Sequence, residues 1–513
     1  MRTQHILIAL AALLLLAAGS LSGCSVDQPN APDIPLTSSD LRAARPVVSI
    51  GNSLTAGFQN GGLAITGQLA GFPQVLTALV GGPPISAQLP VYMQLPLVFT
   101  GDPTQQQTGI GSELGMSSLY VDGVSGEITR DSLSVDPATL LYNASYPLPY
   151  DNLGVPGATT MDAYSALDAA SSQAGDNAFF DLILRNSALP PFDTSQLDQL
   201  EAHFTRETIV GQDPDTGAPI NAVSIPRIIT IWIGDDDILG GVLTGNPVVG
   251  VNMTPSSVWE GMYASILDRV ASFAPNAQIA LANLQSTLPY VTTVPLGSDV
   301  PNVGFVPWTT DESDVIYVLL PAASELDPPL GPDYLAPAGG TESIPGEYTI
   351  TQSEWDAVQG QIAAYNAIIA QQAQARGWAL VNVDAKMLAL PHEPPYDAGT
   401  FAVLNGVFPW LDMTGDGKPE QNVNSAFSLD GIHPSEKGYS AIAEWFAMAL
   451  NDTYGTSYLE SNPKDVQNVA GFEQVLAGGK NGWLSAKASW GISFTASGAA
   501  GLDATARLMG KAH

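Results

Sequence analysis

Three residues of this chain carry the groups that acyl transfer needs: a hydroxyl nucleophile, an imidazole base and a carboxylate to orient the base. Ser53 stands in Ile50-Gly51-Asn52-Ser53-Leu54-Thr55-Ala56-Gly57, where an apolar run stops at a glycine. Glycine permits a sharp turn, and backbone N–H groups at a following helix start can stabilise an oxyanion. Gly-x-Ser alone is most often a plain turn, and Thr55 keeps the segment from being a Gly-x-Ser-x-Gly elbow. His433 closes the segment Ser428-Leu429-Asp430-Gly431-Ile432-His433-Pro434. A carboxylate three residues before a histidine can accept from one ring nitrogen, which aims the other at a nucleophile. The same spacing also describes a helix-capping turn with a surface histidine. Besides His5 and His513, only His203, His392 and His433 occur. That scarcity disfavours a metal centre built on several histidines and still allows one catalytic base.

Residues so far apart meet only if the elements between them return to one edge. Apolar runs at 46–50 and 228–233 lead into Gly51 and Gly234 and read as buried strands; 278–281 and 378–383 look like two more. Helical spacing of apolar residues covers 257–273, 353–375 and 435–450, the last with Ser435 as a cap behind Pro434. Strands alternating with helices favour a parallel sheet covered on both faces, with catalytic loops at the carboxyl ends of its strands. Two stretches near 81–149 and 297–345, rich in Pro, Gly, Ser and Thr, break this rhythm and read as long insertions or lids. Leu95 to Phe99, inside the first, is either a wall for an acyl chain or plain packing.

Four blocks follow one another: Gly51-Asn52-Ser53-Leu54, Asn152-Leu153-Gly154-Val155-Pro156-Gly157-Ala158, Ile233-Gly234-Asp235-Asp236-Asp237, and Asp430-x-x-His433. Over about residues 46–450 this resembles the SGNH hydrolase superfamily, also called GDSL esterases/lipases, and in particular its bacterial lipoprotein members. The resemblance implies an α/β fold, a flavodoxin-like three-layer α/β/α sandwich with a central parallel sheet and long insertions. It implies Ser53 as nucleophile, His433 as base and then acid, and Asp430 as the group that orients it. The oxyanion hole would use the N–H of Ser53, the N–H of Gly154 and the side chain at position 236. Substrates would be carboxylic esters (a lipid, an acyl glycan or an acetylated sugar), cleaved through an acyl-enzyme with no cofactor required. Two positions depart from the family pattern. Asn52 stands where the family often has Asp, and Asp236 stands where Gly-x-Asn-Asp places asparagine. An ionised carboxylate accepts only and would repel an oxyanion. Asp236 stays protonated among crowded carboxylates, or two backbone N–H groups suffice, or the fold survives as a non-catalytic surface binding or scaffold lipoprotein.

The ends and the composition bound the setting. Residues 1–23, with Arg2, an apolar run and Leu21-Ser22-Gly23 before Cys24, resemble a lipoprotein signal whose cysteine is lipidated. The chain is thus expected to be exported and lipid-anchored to the bacterial cell envelope, with Ser25 suiting outer-membrane sorting. Cys24 is the only cysteine of the 513 residues, so no disulfide forms within the chain. Residues 24–43 read as a flexible tether, 44–455 as the hydrolase domain and 456–513 as a C-terminal extension of unassigned role. The net charge is -33, from 50 acidic and 17 basic residues, which excludes nucleic acid as a partner. It also disfavours binding to anionic lipid, leaving the acyl anchor as the membrane attachment. Finally, Asp412-Met413-Thr414-Gly415-Asp416-Gly417-Lys418-Pro419-Glu420 resembles calcium loops of EF-hand and integrin-type repeats. That implies Asp412, Thr414, Asp416, Glu420 and the Lys418 carbonyl as ligands of a structural Ca²⁺. Val423 replaces the distal bidentate Glu of an EF-hand, and an acidic turn is the alternative.

Overall fold

The computed structural model describes residues 46–81, 92–98, 110–111, 118–121, 128–130, 141, 144, 146, 148–186, 194–205, 208–212, 219–222, 228–293, 308–309, 315–319, 349–390, 410–411, 420–421 and 425–458. The four apolar runs become four parallel strands: β1 (Val47–Gly51), β2 (Ile228–Trp232), β3 (Gln278–Ala282) and β4 (Ala379–Val381), hydrogen-bonded in that order. Register brings their carboxyl ends to one edge: Gly51 lies opposite Trp232, Ile231 opposite Leu281, and Ala282 opposite Val381. A further extended segment flanks β1 on its other side. Ser49 N–H donates to Asp151 O (2.9 Å), Leu153 N–H to Ser49 O (2.9 Å) and Val155 N–H to Gly51 O (3.0 Å). Counted with this segment, the chain order across the sheet is 2-1-3-4-5, the flavodoxin-like order.

Helices cover both faces, which is why β1 and β2 read as unbroken apolar runs and are buried along their whole length. The described helices that build the layers are α1 (Ser53–Ala56), α2 (Ile65–Ala70), α3 (Phe72–Leu79), α4 (Thr160–Ser165), α5 (Phe179–Leu184), α6 (Gln196–Thr205), α7 (Asp236–Leu243), α8 (Ser256–Phe273), α9 (Gln352–Arg376), α10 (Val383–Leu388) and α11 (Glu436–Tyr454). One layer packs α11 on α2 and α3, and places these against β1, β3 and β4. The opposite layer groups α4, α6, α8 and α9. Phe72 stacks on Phe446 with ring centroids 4.5 Å apart, fixing α3 to α11.

Several boundaries differ from the sequence expectation because of capping. Thr351 and Glu354 form a reciprocal capping box, so α9 starts at Gln352. Asn382 caps α10, which cuts β4 short at Val381. The last helix runs past residue 450 to Tyr454, where Gly455 adopts a left-handed conformation (φ 64°). Leu95, Leu97 and Val98 are buried packing residues, and Val98 N–H donates to Gln68 Oε1 (2.7 Å). Among the described residues no helix is long and apolar enough to cross a membrane. The signal segment, Cys24, the tether, residues 459–513 and most of 297–345 lie outside the described residues. So do Asp412, Thr414, Asp416 and Lys418; Glu420 falls in a short strand paired with Trp410–Leu411.

Candidate active site

The position of Ser53 follows from crowding at the end of β1. A Cβ on Gly51 would lie 2.1 Å from Trp232 O and 2.2 Å from Thr55 Oγ1, so only glycine lets the strand turn here. Asn52 then caps α1, its Oδ1 accepting from Leu54 N–H (3.1 Å). Ser53 becomes the first helical residue. Among the described residues nothing accepts from its N–H, one of the orphan donors of a helix start. The helix closes at Gly57 (φ 82°) and leads into Phe58.

Asp430 and His433 come from the loop before α11. Asp430 and His433 are completely buried. Asp430 Oδ2 accepts from His433 Nδ1 (2.8 Å) and from Gly61 N–H (2.7 Å). Its Oδ1 accepts from His433 N–H (2.9 Å), Ile432 N–H (3.0 Å) and Ser428 Oγ (3.1 Å). Burial alone would raise this carboxyl, but the His433 imidazole and these donors outweigh it and hold the group below the usual carboxylate range. Gly431 makes the turn possible: its φ is 69°, and a Cβ there would meet Tyr290 N at 2.7 Å. With Nδ1 engaged by Asp430, Nε2 of His433 is the free ring nitrogen; among the described residues it has no hydrogen-bond partner.

The two loops are locked together through the turn that follows α1. Asn60 N–H donates to Ser428 Oγ (3.0 Å), and Asn60 Oδ1 accepts from Leu429 N–H (2.9 Å). The Phe58 ring lies 4.8 Å from the His433 ring. Ser53 and His433 are thereby held on adjoining loops, yet no hydrogen bond joins the Ser53 hydroxyl to Nε2. Resting enzymes often carry such contacts long and tighten them on substrate binding.

The oxyanion candidates are arranged unequally. A Cβ on Gly154 would approach Ala56 N to 2.5 Å, so glycine is required where this loop abuts α1. Its N–H donates to Asn152 Oδ1 (3.0 Å), while Asn152 Nδ2 donates to Thr55 O (2.7 Å). Asp236 is fully buried at the first turn of α7. Burial, then the charges of Asp235 and Asp237, raise its carboxyl well above the usual range, against an opposing hydrogen bond from Asn52. Asp235 turns away from capping α7 and accepts from Asn52 Nδ2 (3.4 Å); burial lifts it to about 7. Asp237 is lifted by burial to about 6, restrained by the N–H and hydroxyl of Thr160, both at 2.8 Å. Trp259 Nε1 donates to that Thr160 hydroxyl (2.8 Å) and fixes it.

Sequence reasoning marked Asn52 as a departure but missed the roles of Asn152, Asp235 and Thr160. Asn152-Leu153-Gly154 is Asn-x-Gly with a short acceptor side chain, which is an Asx-turn signal. Asp235 sits inside the acidic run, and Thr160 had no sequence signal. No group of three or more His, Cys, Asp or Glu among the described residues is placed to hold a metal. A protein-family model described as GDSL-like Lipase/Acylhydrolase matches residues 47–446, from the first residue of β1 into α11. No curated protein matches the chain.

Proposed function

Because this chain belongs to the GDSL-like lipase/acylhydrolase family, we propose that it hydrolyses carboxylic esters through an acyl-enzyme on Ser53. The observation that carries this reading is the buried Asp430–His433 pair. Asp430 holds Nδ1, which leaves Nε2 as the proton acceptor beside the loop that bears Ser53. In the first half-reaction the Ser53 hydroxyl attacks the ester carbonyl and its proton passes to Nε2. The tetrahedral oxyanion is met by the Ser53 N–H, by the proton on Asp236, and by the Gly154 N–H once it turns from Asn152. Collapse expels the alcohol, which takes the proton from His433. A water then repeats the sequence on the acyl-enzyme and frees the acid.

A protonated Asp236 resolves the departure from asparagine, because a neutral carboxylic acid donates a hydrogen bond where a carboxylate cannot. The test is covalent labelling. A fluorophosphonate should label the native chain and leave Ser53→Ala untouched. Absence of label on the native chain, with no turnover of short p-nitrophenyl esters, would make it a non-catalytic surface binding protein.

The location is proposed on the sequence alone. The signal-like residues 1–23 and the lone Cys24 support export and acylation of that cysteine, with the tether holding the hydrolase domain above the bacterial envelope. Incorporation of labelled palmitate that survives in Cys24→Ser would refute it.

A further inference from the structure

Arg130 is the one basic residue between Arg45 and Arg185, in a chain with 50 acidic and 17 basic residues, and it is only 1 % exposed. Burying a guanidinium is costly unless its donors are taken up, so its place in the fold calls for an explanation. It belongs to the insertion at 81–149, which none of the steps above uses. One of its donors is spent next to the groups that hold the acid: Nη2 donates to Gly61 O (3.0 Å).

Gly61 sits in a tight turn. Gln59 and Gly62 exchange backbone hydrogen bonds (3.0 and 2.9 Å), and the two residues between them, Asn60 and Gly61, both have positive φ (52° and 68°). Asn-Gly favours such a turn. Its N–H groups serve the loop of Asp430. Asn60 N–H donates to Ser428 Oγ (3.0 Å), and Gly61 N–H donates to Asp430 Oδ2 (2.7 Å). Of the donors to Asp430 named above, Gly61 is the only one from outside its own loop. The carbonyls of the turn serve the insertion. Leu119 N–H donates to Asn60 O (2.7 Å), and Arg130 donates to Gly61 O. Gly62 also pairs with Gly111, and a Cβ on Gly62 would lie 2.4 Å from Ser118 Oγ, so turn and insertion are in close contact.

We propose that Arg130 is a positioning residue of the triad, holding the turn at Gly61 so that its N–H keeps the Asp430 carboxylate aligned with His433 Nδ1. This role rests on the esterase reading above and adds a residue that acts through Asp430 rather than on the substrate. Asp430 Oδ2 accepts from both Gly61 N–H and His433 Nδ1, so a turn that drifts lets the carboxylate rotate away from the imidazole. The base is then less well aimed, and a misplacement of about 1 Å can cost on the order of a hundredfold in rate. A guanidinium suits the task, because a charge-assisted hydrogen bond is about twice as strong as a neutral one.

Arg130→Met in the full-length chain keeps a long stem and removes the donors. With p-nitrophenyl butyrate its kcat should fall about tenfold while KM stays within about twofold of native, since alignment and not substrate contact is lost. The proton between His433 Nδ1 and Asp430 gives a readout that a loss of stability alone does not move. Its far-downfield NMR resonance, assigned by its absence from His433→Gln, should shift or vanish in folded Arg130→Met. Arg130→Lys, one bond shorter but still charged, should recover part of both signals. A folded Arg130→Met with native kcat and a native resonance overturns the proposal, and so does a lower kcat with an unmoved resonance. If Arg130→Met does not fold, Arg130→Gln, neutral and two bonds shorter, is judged by the same two outcomes. If the native protein cleaves no ester, the esterase reading fails, and the resonance still decides whether Arg130 positions Asp430 against His433.

Discussion

Replacing Asp236 by asparagine tests whether the oxyanion hole depends on a proton. Asp236 is fully buried, and burial, followed by the charges of Asp235 and Asp237, lifts its carboxyl well above the usual range. That shift favours the neutral acid, which has one hydrogen bond to give. Asp236→Asn exchanges one neutral donor for another of similar size, so kcat/KM near pH 6 should stay within about threefold. Asp236→Leu keeps the bulk and removes the donor, and should lose about a hundredfold, or ~2.7 kcal/mol of transition-state stabilisation. The pH dependence has a definite sign. The proton is present below the raised pKa and is lost as pH rises through it, when a charge forms opposite the developing oxyanion. The native enzyme should thus lose rate on the alkaline side, whereas Asp236→Asn keeps it. The assay is kcat/KM for p-nitrophenyl butyrate from about pH 5 to about pH 9, corrected for spontaneous hydrolysis. An asparagine variant a hundredfold faster than native at pH 6 would show that the native carboxylate is ionised. A leucine variant equal to native would remove position 236 from the hole.

The neighbouring carboxylates give two more predictions. Asp235 is lifted by burial to about 7 from an ordinary 3.8. The folded chain therefore binds this proton across a window in which the unfolded chain has released it, and stability falls as pH rises from about 4 to about 7. At about 1.4 kcal/mol per pH unit the loss is roughly 4 kcal/mol, so Asp235→Asn should raise Tm more at pH 8 than at pH 4. Equal gains at both would refute the shift. Asn52→Asp removes the amide that lowers Asp236 and adds a further buried carboxylate, both of which raise Asp236, so the alkaline edge of kcat/KM should move to higher pH. In the Asp236→Asn background the same change should move no such edge; equal effects in both backgrounds would show that the two side chains act independently.

The parallel core was legible because β1 and β2 are buried along their whole length and so read as apolar runs leading to Gly51 and Gly234, while the shorter runs of β3 and β4 end at Asn283 and Asn382. The segment at 151–155 was not read as a strand. It pairs with β1 through alternate residues only, and Asp151 and Asn152 carry no apolar pattern. Ser53, Asp430 and His433 were legible as residue types at suggestive spacings, since the two-residue turn between Asp430 and His433 fixes the Nδ1 contact locally. The stretch Leu95 to Phe99 fits either a wall for an acyl chain or plain packing by sequence; its described members Leu95, Leu97 and Val98 are buried, and Val98 N–H donates to Gln68 Oε1.

The two departures from the family pattern are better understood together than apart. Asn52 takes an amide where the family often has a carboxylate, and Asp236 takes a carboxyl where it has an amide. The number of amides and carboxyls around the nucleophile is thereby unchanged. The exchange is physically coupled, because Asn52 donates to Asp235 (3.4 Å) and opposes the rise of the Asp236 carboxyl. An aspartate at position 52 would put another buried acid next to three consecutive ones. Asn52 avoids that charge and acts against the upward push of burial on Asp236. The amide thus limits how far the carboxyl is lifted, which sets where on the pH scale the hole loses its donor. On this argument Asp236 is a donor whose pKa is governed largely from position 52 and the adjoining aspartates, and the alkaline edge of activity should move when Asn52 is changed even though Asn52 never touches the oxyanion.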